Sequence, residues 1–244
     1  MIEARTKQRN SMEYFENGIL KSHYFGKRTK VLTPLGEMDA EMITYYDDGS
    51  VHRVFPLYGQ VSGFWSEVEE IKLADSLGIE YSCYCFYKSG KLKSLTLYQD
   101  KKIEIETPLG KVNTRFGVSY YESGEVKSFE PPIPLLIATP IGEILAYDNN
   151  PVGIHGDRNS VEFFENGKLK SVSTLENNVS VINPVGISKL IKPPLVRSDF
   201  DIEKFVVKPM KINFFQEGIE IVRCKEKQLY LFDSDSISVL KWKM

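Results

Sequence analysis

Val161-Glu162-Phe163-Phe164-Glu165-Asn166-Gly167-Lys168-Leu169-Lys170-Ser171 is the stretch on which the reading of this chain turns. Relatives of it recur at Met12–Ser22, Ile43–Arg53, Tyr84–Ser94, Val118–Ser128 and Ile212–Val222. The shared order is apolar, polar, aromatic, aromatic, two turn residues, glycine, any residue, Leu or Val, Lys, Ser. Internal repetition of this kind decides architecture before any local assignment. Each copy is an apolar-rich run, a glycine-containing turn and a second alternating run, the signature of a β-hairpin.

Two loop lengths compete at Glu165-Asn166-Gly167. A two-residue Asn-Gly loop sets Leu169 opposite Phe164, whereas a three-residue loop with a left-handed glycine sets it opposite Phe163. The side-chain period decides between them. Val161 and Phe163 share one strand face, and Glu162 and Phe164 share the other. The residue before the aromatic pair is apolar or aromatic in every copy (Met12, Ile43, Tyr84, Val118, Val161, Ile212), while the one between is mostly small or polar (Glu13, Thr44, Cys85, Ser119, Glu162, Asn213). The first aromatic therefore faces the core and Leu169 joins it, which requires the three-residue loop with Gly167 left-handed. The second aromatic lies on the opposite face beside Lys168 and Lys170, whose stems can cross the ring while the ammonium stays in water.

A second signal alternates with the first: Thr33-Pro34-Leu35-Gly36, Thr107-Pro108-Leu109-Gly110, Thr139-Pro140-Ile141-Gly142 and Asn183-Pro184-Val185-Gly186. Pro second and Gly fourth suit a type I turn, and alternating flanks such as Ile103-Glu104-Ile105-Glu106 make it a hairpin. The expected unit is four strands: aromatic strand, Gly turn, Lys-Ser strand, third strand, Pro–Gly turn, fourth strand. The spacing from Gly90 to Gly124 is short for a propeller blade of about 40–50 residues.

The fold expected is all-β. Repeated antiparallel β-hairpins form an extended twisted meander sheet in one repeat-built domain over residues 1–244, with a closed propeller-like ring as the alternative. Three insertions interrupt it, near 60–80, 148–158 and 190–206. Gly63–Leu77 is a helix candidate with an acidic first turn and Gly78 as its C-cap, weighed evenly against a strand with acidic outer positions. Asp148–Asp157 is a loop by composition, and Leu190–Val206, with Pro193 and Pro194, a loop or short helix. Leu229–Phe232 and Val239–Trp242 are candidate closing strands.

Composition bounds function. The chain carries 31 basic and 33 acidic residues, a formal net charge of −2, so it has no global attraction to nucleic acid. Three cysteines at Cys83, Cys85 and Cys224 give neither a disulfide framework nor a zinc spacing. No apolar run approaches membrane-spanning length, and a cytoplasmic protein without cofactor is expected. There is no Gly-x-Ser-x-Gly, phosphate loop or His-Glu-x-x-His.

The hairpin stretches, best in Tyr120-Tyr121-Glu122-Ser123-Gly124-Glu125-Val126-Lys127 and Phe163–Lys170, resemble MORN-type repeats, in the bacterial variant associated with antitoxin components. The resemblance implies antiparallel hairpin sheets that dock proteins or membrane surfaces. A non-enzymatic protein-binding or scaffold protein is therefore expected. The alternative is a hydrolase-like or sugar-modifying enzyme whose site lies in the insertions.

The aromatic pairs and post-glycine lysines read first as sheet-face packing and solvated edge. Ile154-His155-Gly156-Asp157-Arg158 is the one crowded polar loop, and a His–Asp pair there suits acid–base work. In the four-strand unit all three insertions share one edge. The candidate ligand-binding surface is accordingly Trp65 and Glu67 with His155, Asp157 and Arg158, carried on loops as binding residues commonly are.

Overall fold

The three-residue loop is what the chain builds. In a computed structural model of the protein, describing residues 5–6, 10–58, 60–61, 67–98, 101–149, 151, 159–198 and 203–240, Phe163 pairs with Leu169. Tyr14 likewise pairs with Leu20, Tyr45 with Val51 and Phe86 with Leu92. In five copies the second aromatic donates its N–H to the carbonyl just past the glycine (Phe164 N to Lys168 O, 2.8 Å), and the glycine N–H returns to that aromatic (Gly167 N to Phe164 O, 2.9 Å). Gly167 sits at φ 78°, which only glycine adopts cheaply. The turn residue before it closes the loop: Asn166 Oδ1 accepts the Lys168 N–H at 3.1 Å, as Asn17 does for Ile19 and Asp48 for Ser50.

The sixth copy departs. Phe214 pairs with Ile219 and Ile212 with Ile221, which leaves a two-residue loop. Here the apolar residues follow the glycine at odd steps (Ile219, Ile221), so burying them requires one loop residue fewer. Gly218 is correspondingly a strand residue, and a Cβ on it would lie 2.1 Å from the Tyr230 carbonyl oxygen.

The chain divides into two compact units. The first holds β1 (Arg5–Thr6), β2 (Ser11–Tyr14), β3 (Leu20–Thr33), β4 (Gly36–Tyr45), β5 (Val51–Phe55), β6 (Gln60–Val61), α1 (Glu67–Leu77), β7 (Tyr81–Phe86) and β8 (Leu92–Leu97). Next come β9 (Lys102–Thr107) and β10 (Gly110–Tyr120), of which residues 115–120 belong to the first unit and 104–114 to the second. The second unit continues with β11 (Val126–Glu130), β12 (Leu135–Thr139), β13 (Gly142–Ala146), β14 (Val161–Phe163), β15 (Leu169–Thr174), β16 (Asn178–Ile182) and β17 (Ser188–Ile191). Then follow β18 (Leu195–Arg197), β19 (Phe205–Val207), β20 (Met210–Phe214), β21 (Gly218–Arg223), β22 (Glu226–Leu231) and β23 (Ser236–Leu240).

The first unit is a meander in the order β2-β3-β4-β5-β7-β8-β10. One face carries the row Ile43–Val54–Tyr84–Leu95–Val118, aligned strand to strand and buried except for the half-buried Tyr84. The four-strand unit is not what forms there. The Lys-Ser strand and the third strand are the single strand β3, irregular between Tyr24 and Thr29, and the fourth strand runs on into the next aromatic strand as β4. The far half of β3–β4 packs Ala40, Val31 and Met38 on the core of Ile43, Val54 and Phe86. Its tip reaches the Gly turn after next, where Pro34 lies 3.5 Å from a Cβ position on Gly90. In the second unit Pro108 meets Gly167 in the same way. Thr33 and Thr107 hold these tips. Each hydroxyl donates to the turn-glycine carbonyl at 2.8 Å and accepts the N–H two residues on at 3.1 Å.

The helix expected in the first insertion is α1. It ends in a Schellman cap, with Gly78 at φ 67° and Ile79 N–H bonded to Ala74 O at 2.9 Å. Leu57, Ala74 and Tyr98 form its packing core.

The second unit is a meander in the order β11-β14-β15-β20-β21-β22. Phe129, Val161, Val172, Ile212 and Ile221 align across it and are all buried. The insertion 190–206 is neither loop nor helix in its described part: it ends β17 and forms most of the hairpin β18–β19. The closing strands are β22 and β23, the latter paired with β16.

Candidate docking surface

The motif serine explains the face opposite the core. Ser22 lies between Glu13 and Thr44, and Ser94 between Cys85 and Ser119; in the second unit Ser171 lies between Glu162 and Asn213. A row of small and polar side chains thus runs across each sheet on that face, with the motif serines buried. In the second unit it reads Ser128–Glu162–Ser171–Asn213–Glu220 and ends on Leu229. Its charges are satisfied within the row: Lys211 Nζ reaches Glu162 at 2.8 Å, and Asn213 Nδ2 donates to Glu220 at 2.8 Å.

Beside this row sit the second aromatics, and apart from Phe15, a half-buried phenylalanine of the first unit, they differ between the units. In the first, Tyr46 donates its hydroxyl to Phe86 O at 2.9 Å and Tyr87 to Tyr120 O at 2.8 Å, so each ties its hairpin to the next. Lys93 lies 5.6 Å over the Tyr87 ring, as the motif spacing predicts for the diagonal lysine, and Lys88, from the turn of the next hairpin, lies 5.4 Å over Tyr46. In the second unit the equivalents are Phe164 and Phe215, which have no hydroxyl to anchor and are 37% and 44% exposed.

Phe215 stands opposite Gly218, and Gly218 opposite Leu231. Leu229 shares the face of Leu231. The exposures of Leu229 (61%) and Leu231 (40%) mark an apolar strip running to the outermost strand. Among the described residues β22 pairs only with β21. Its six residues run in unbroken register without proline. Leu231 is capped by the turn that follows, its N–H on Asp235 Oδ2 at 3.0 Å and its carbonyl on Asp235 N–H at 2.8 Å, so the backbone groups left for pairing lie ahead of it. Its end charges are already engaged, Glu226 with Arg223 at 3.1 Å and Lys227 with Glu220 at 3.9 Å.

The sequence-derived site lies almost wholly elsewhere. Trp65, His155, Asp157 and Arg158 fall outside the described residues; Glu67 opens α1, its side chain outside them as well. The base of the 148–158 insertion is described. Glu130, fully buried, accepts Asp148 N–H at 3.1 Å and Ser160 N–H at 2.7 Å, drawing the loop's two ends together. Glu41, also buried, accepts Tyr58 N–H at 2.7 Å at the start of the first insertion. Cys83 and Cys85 are buried on one strand face, and burial pushes the Cys83 thiol up to about 12. Among the described residues no group of three His, Cys, Asp or Glu could hold a metal, and no helix is long and apolar enough to cross a membrane.

One comparison bears on this geometry. Residues 82–100 match the MORN repeat variant. They cover β7, the Gly90 turn and β8, one complete hairpin of the repeating kind. Curated proteins and solved structures gave no significant match. MORN repeats are in general motifs that bind proteins or membranes.

Proposed function

We propose that the protein is a non-enzymatic docking scaffold, and that an extended segment of a partner protein adds as a strand to β22. The observation that carries this reading is the apolar strip Phe215–Leu231–Leu229 beside an unbulged, proline-free strand edge whose backbone ahead of Leu231 is open. Backbone pairing supplies affinity in such strand addition, and alternate side chains supply specificity. Covering one exposed leucine contributes about 1.5–3 kcal/mol. A polypeptide suits the strip better than an anionic membrane, because Glu217, Glu220 and Glu226 are interspersed with Lys225 and Lys227 and no polybasic cluster forms.

The test is the double substitution Leu229→Lys with Leu231→Lys in the full chain. Native lysates are fractionated by size, and the protein is followed by antibody. Wild type should run in a larger complex and the variant, equally folded by circular dichroism, at its own size. Wild type at monomer size overturns the reading, as does a complex that survives the substitutions. A detergent-soluble, lipid-bound form without a second polypeptide would assign the strip to a membrane instead.

A further inference from the structure

The first unit contains a cleft of about 250 Å³ that the docking surface does not use. It forms where segments distant in sequence meet: the irregular part of β3 with the facing part of β4, Pro56 after β5, the capped end of α1, and β7. Arg28 lies in that irregular part, its side chain 28% exposed. One carboxylate faces it, Asp39, whose Oδ2 lies 3.5 Å from Nη2. Charge-assisted bonds usually run to about 2.7–2.9 Å, so this contact is a long one. The Arg28 Nε is buried with no acceptor. A guanidinium taken largely out of water and so poorly coordinated attracts an oxyanion to its open edge.

Two aromatic rings share the lining with Arg28. The Tyr81 and Tyr84 rings stand 5.2 Å apart and tilted by 52°, with Met38 beside them in the lining. Burial, with smaller contributions from Tyr81 and Glu80, pushes the Tyr84 phenol up to about 12, so it stays a neutral hydrogen-bond donor at physiological pH. Asp39 and Glu80 add negative charge to the lining. One new negative charge can be met by Arg28; a second would face both carboxylates. The volume lies below the ~300–1,000 Å³ of drug-sized sites, which sets a small ligand.

We infer that this cleft binds a small monocarboxylate with a flat apolar body, its carboxylate on Arg28 and its ring against Tyr81 and Tyr84. A free aromatic acid and the C-terminal residue of a polypeptide share that chemistry.

Calorimetric titration of the full chain tests it with four probes: phenylacetate, the peptide Ala-Ala-Phe with a free C-terminus, its C-terminal amide, and phenyl phosphate. Both carboxylates should bind, with the amide and the phosphate at least about tenfold weaker, a difference of about 1.4 kcal/mol. Tighter binding of Ala-Ala-Phe assigns the site to polypeptide termini, and tighter binding of phenylacetate to a free acid. Arg28→Gln should cost about tenfold or more for the carboxylates, as expected for a bidentate guanidinium pairing. Asp39→Asn, which removes the carboxylate that pairs with Arg28 among the described residues, should tighten carboxylate binding and admit phenyl phosphate, and it decides the matter if Arg28→Gln fails to fold. No heat from either carboxylate at millimolar concentration overturns the proposal. So does equal binding of acid and amide, or affinity indifferent to Asp39→Asn.

Discussion

The two outermost strands, β2 in the first unit and β22 in the second, bracket the repeat copies in sequence and end differently: β2 belongs to the first copy, and β22 follows the last. β2 is four residues long, carries Glu13 and a register shift before Tyr14, and every side chain on it is exposed. Short length, a charge and a bulge are the ordinary means by which a sheet edge avoids pairing. β22 has six residues in regular register, with two leucines on its outer face. The second aromatics, Phe15 apart, follow the same division. Tyr46 and Tyr87 lock hairpin to hairpin through their hydroxyls, whereas Phe164 and Phe215 leave ring surface in water. A repeat that is purely structural where it carries tyrosine is thus free to present a surface where it carries phenylalanine.

Gly218 offers the hardest challenge to this comparison. Gly218→Ala drives a methyl into the Tyr230 carbonyl and should cost about 3 kcal/mol, lowering the thermal midpoint by roughly 6–12 °C in circular dichroism. At Gly124, φ is 100° and nothing stands within 4 Å, so alanine meets only the left-handed backbone cost of about 1–2 kcal/mol. Equal losses would mean that β22 is not held rigidly on β21.

Alkali should separate the units next. Cys83 is buried and its thiol is raised from 9.0 to about 12, so the folded state disfavours the thiolate. Its contribution is intact below pH 9 and is lost as pH climbs through 12, amounting to about 2–3 kcal/mol near pH 11. Tyr84 adds the same trend from pH 10 upward. Urea titrations at pH 8–11 should show the first unit weakening first, and Cys83→Ala should move the onset toward pH 10.

A smaller effect tests the tyrosine ties. Tyr87→Phe removes the bond to Tyr120 O and should cost about 0.5–1.5 kcal/mol by chemical denaturation. Lys93→Ala, which uncovers the same ring, should cost about 0.5 kcal/mol.

Much of the hairpin register was legible because the side-chain period allows one solution: Phe163 must face Leu169 for both to be buried. The sixth copy was legible in principle, since Glu220 occupies the position that Leu169 fills, but matching glycines to one another hides the phase shift. The fusion of third and fourth strands into β3 and β4 left no trace, because an irregularity at Tyr24–Thr29 needs no special composition. Leu195–Arg197 and Phe205–Val207 are too short to alternate visibly between prolines and charges. The contacts of Pro34 with Gly90, and the cleft joining Arg28 to Tyr84, bring together residues whose sequence separation exceeds any local pattern. The candidate site drew on loop composition and on the shared edge of a four-strand unit that the first unit does not form, and the apolar strip escaped because Leu229 and Leu231 lie outside the repeated motif that places Phe215 on the outer face.

The central claim is that the second unit's edge is open to a partner and the first unit's is closed. A photoreactive phenylalanine analogue placed at position 229 of β22, and separately at position 12 of β2, reads this directly in living cells. At both sites the replaced residue is an exposed large apolar side chain, so folding is expected to be unaffected within about 0.5 kcal/mol. Irradiation should join position 229 to one heterologous polypeptide and leave position 12 without an adduct. An adduct at 12 equal to that at 229, a self-adduct alone, or none at 229 would contradict it.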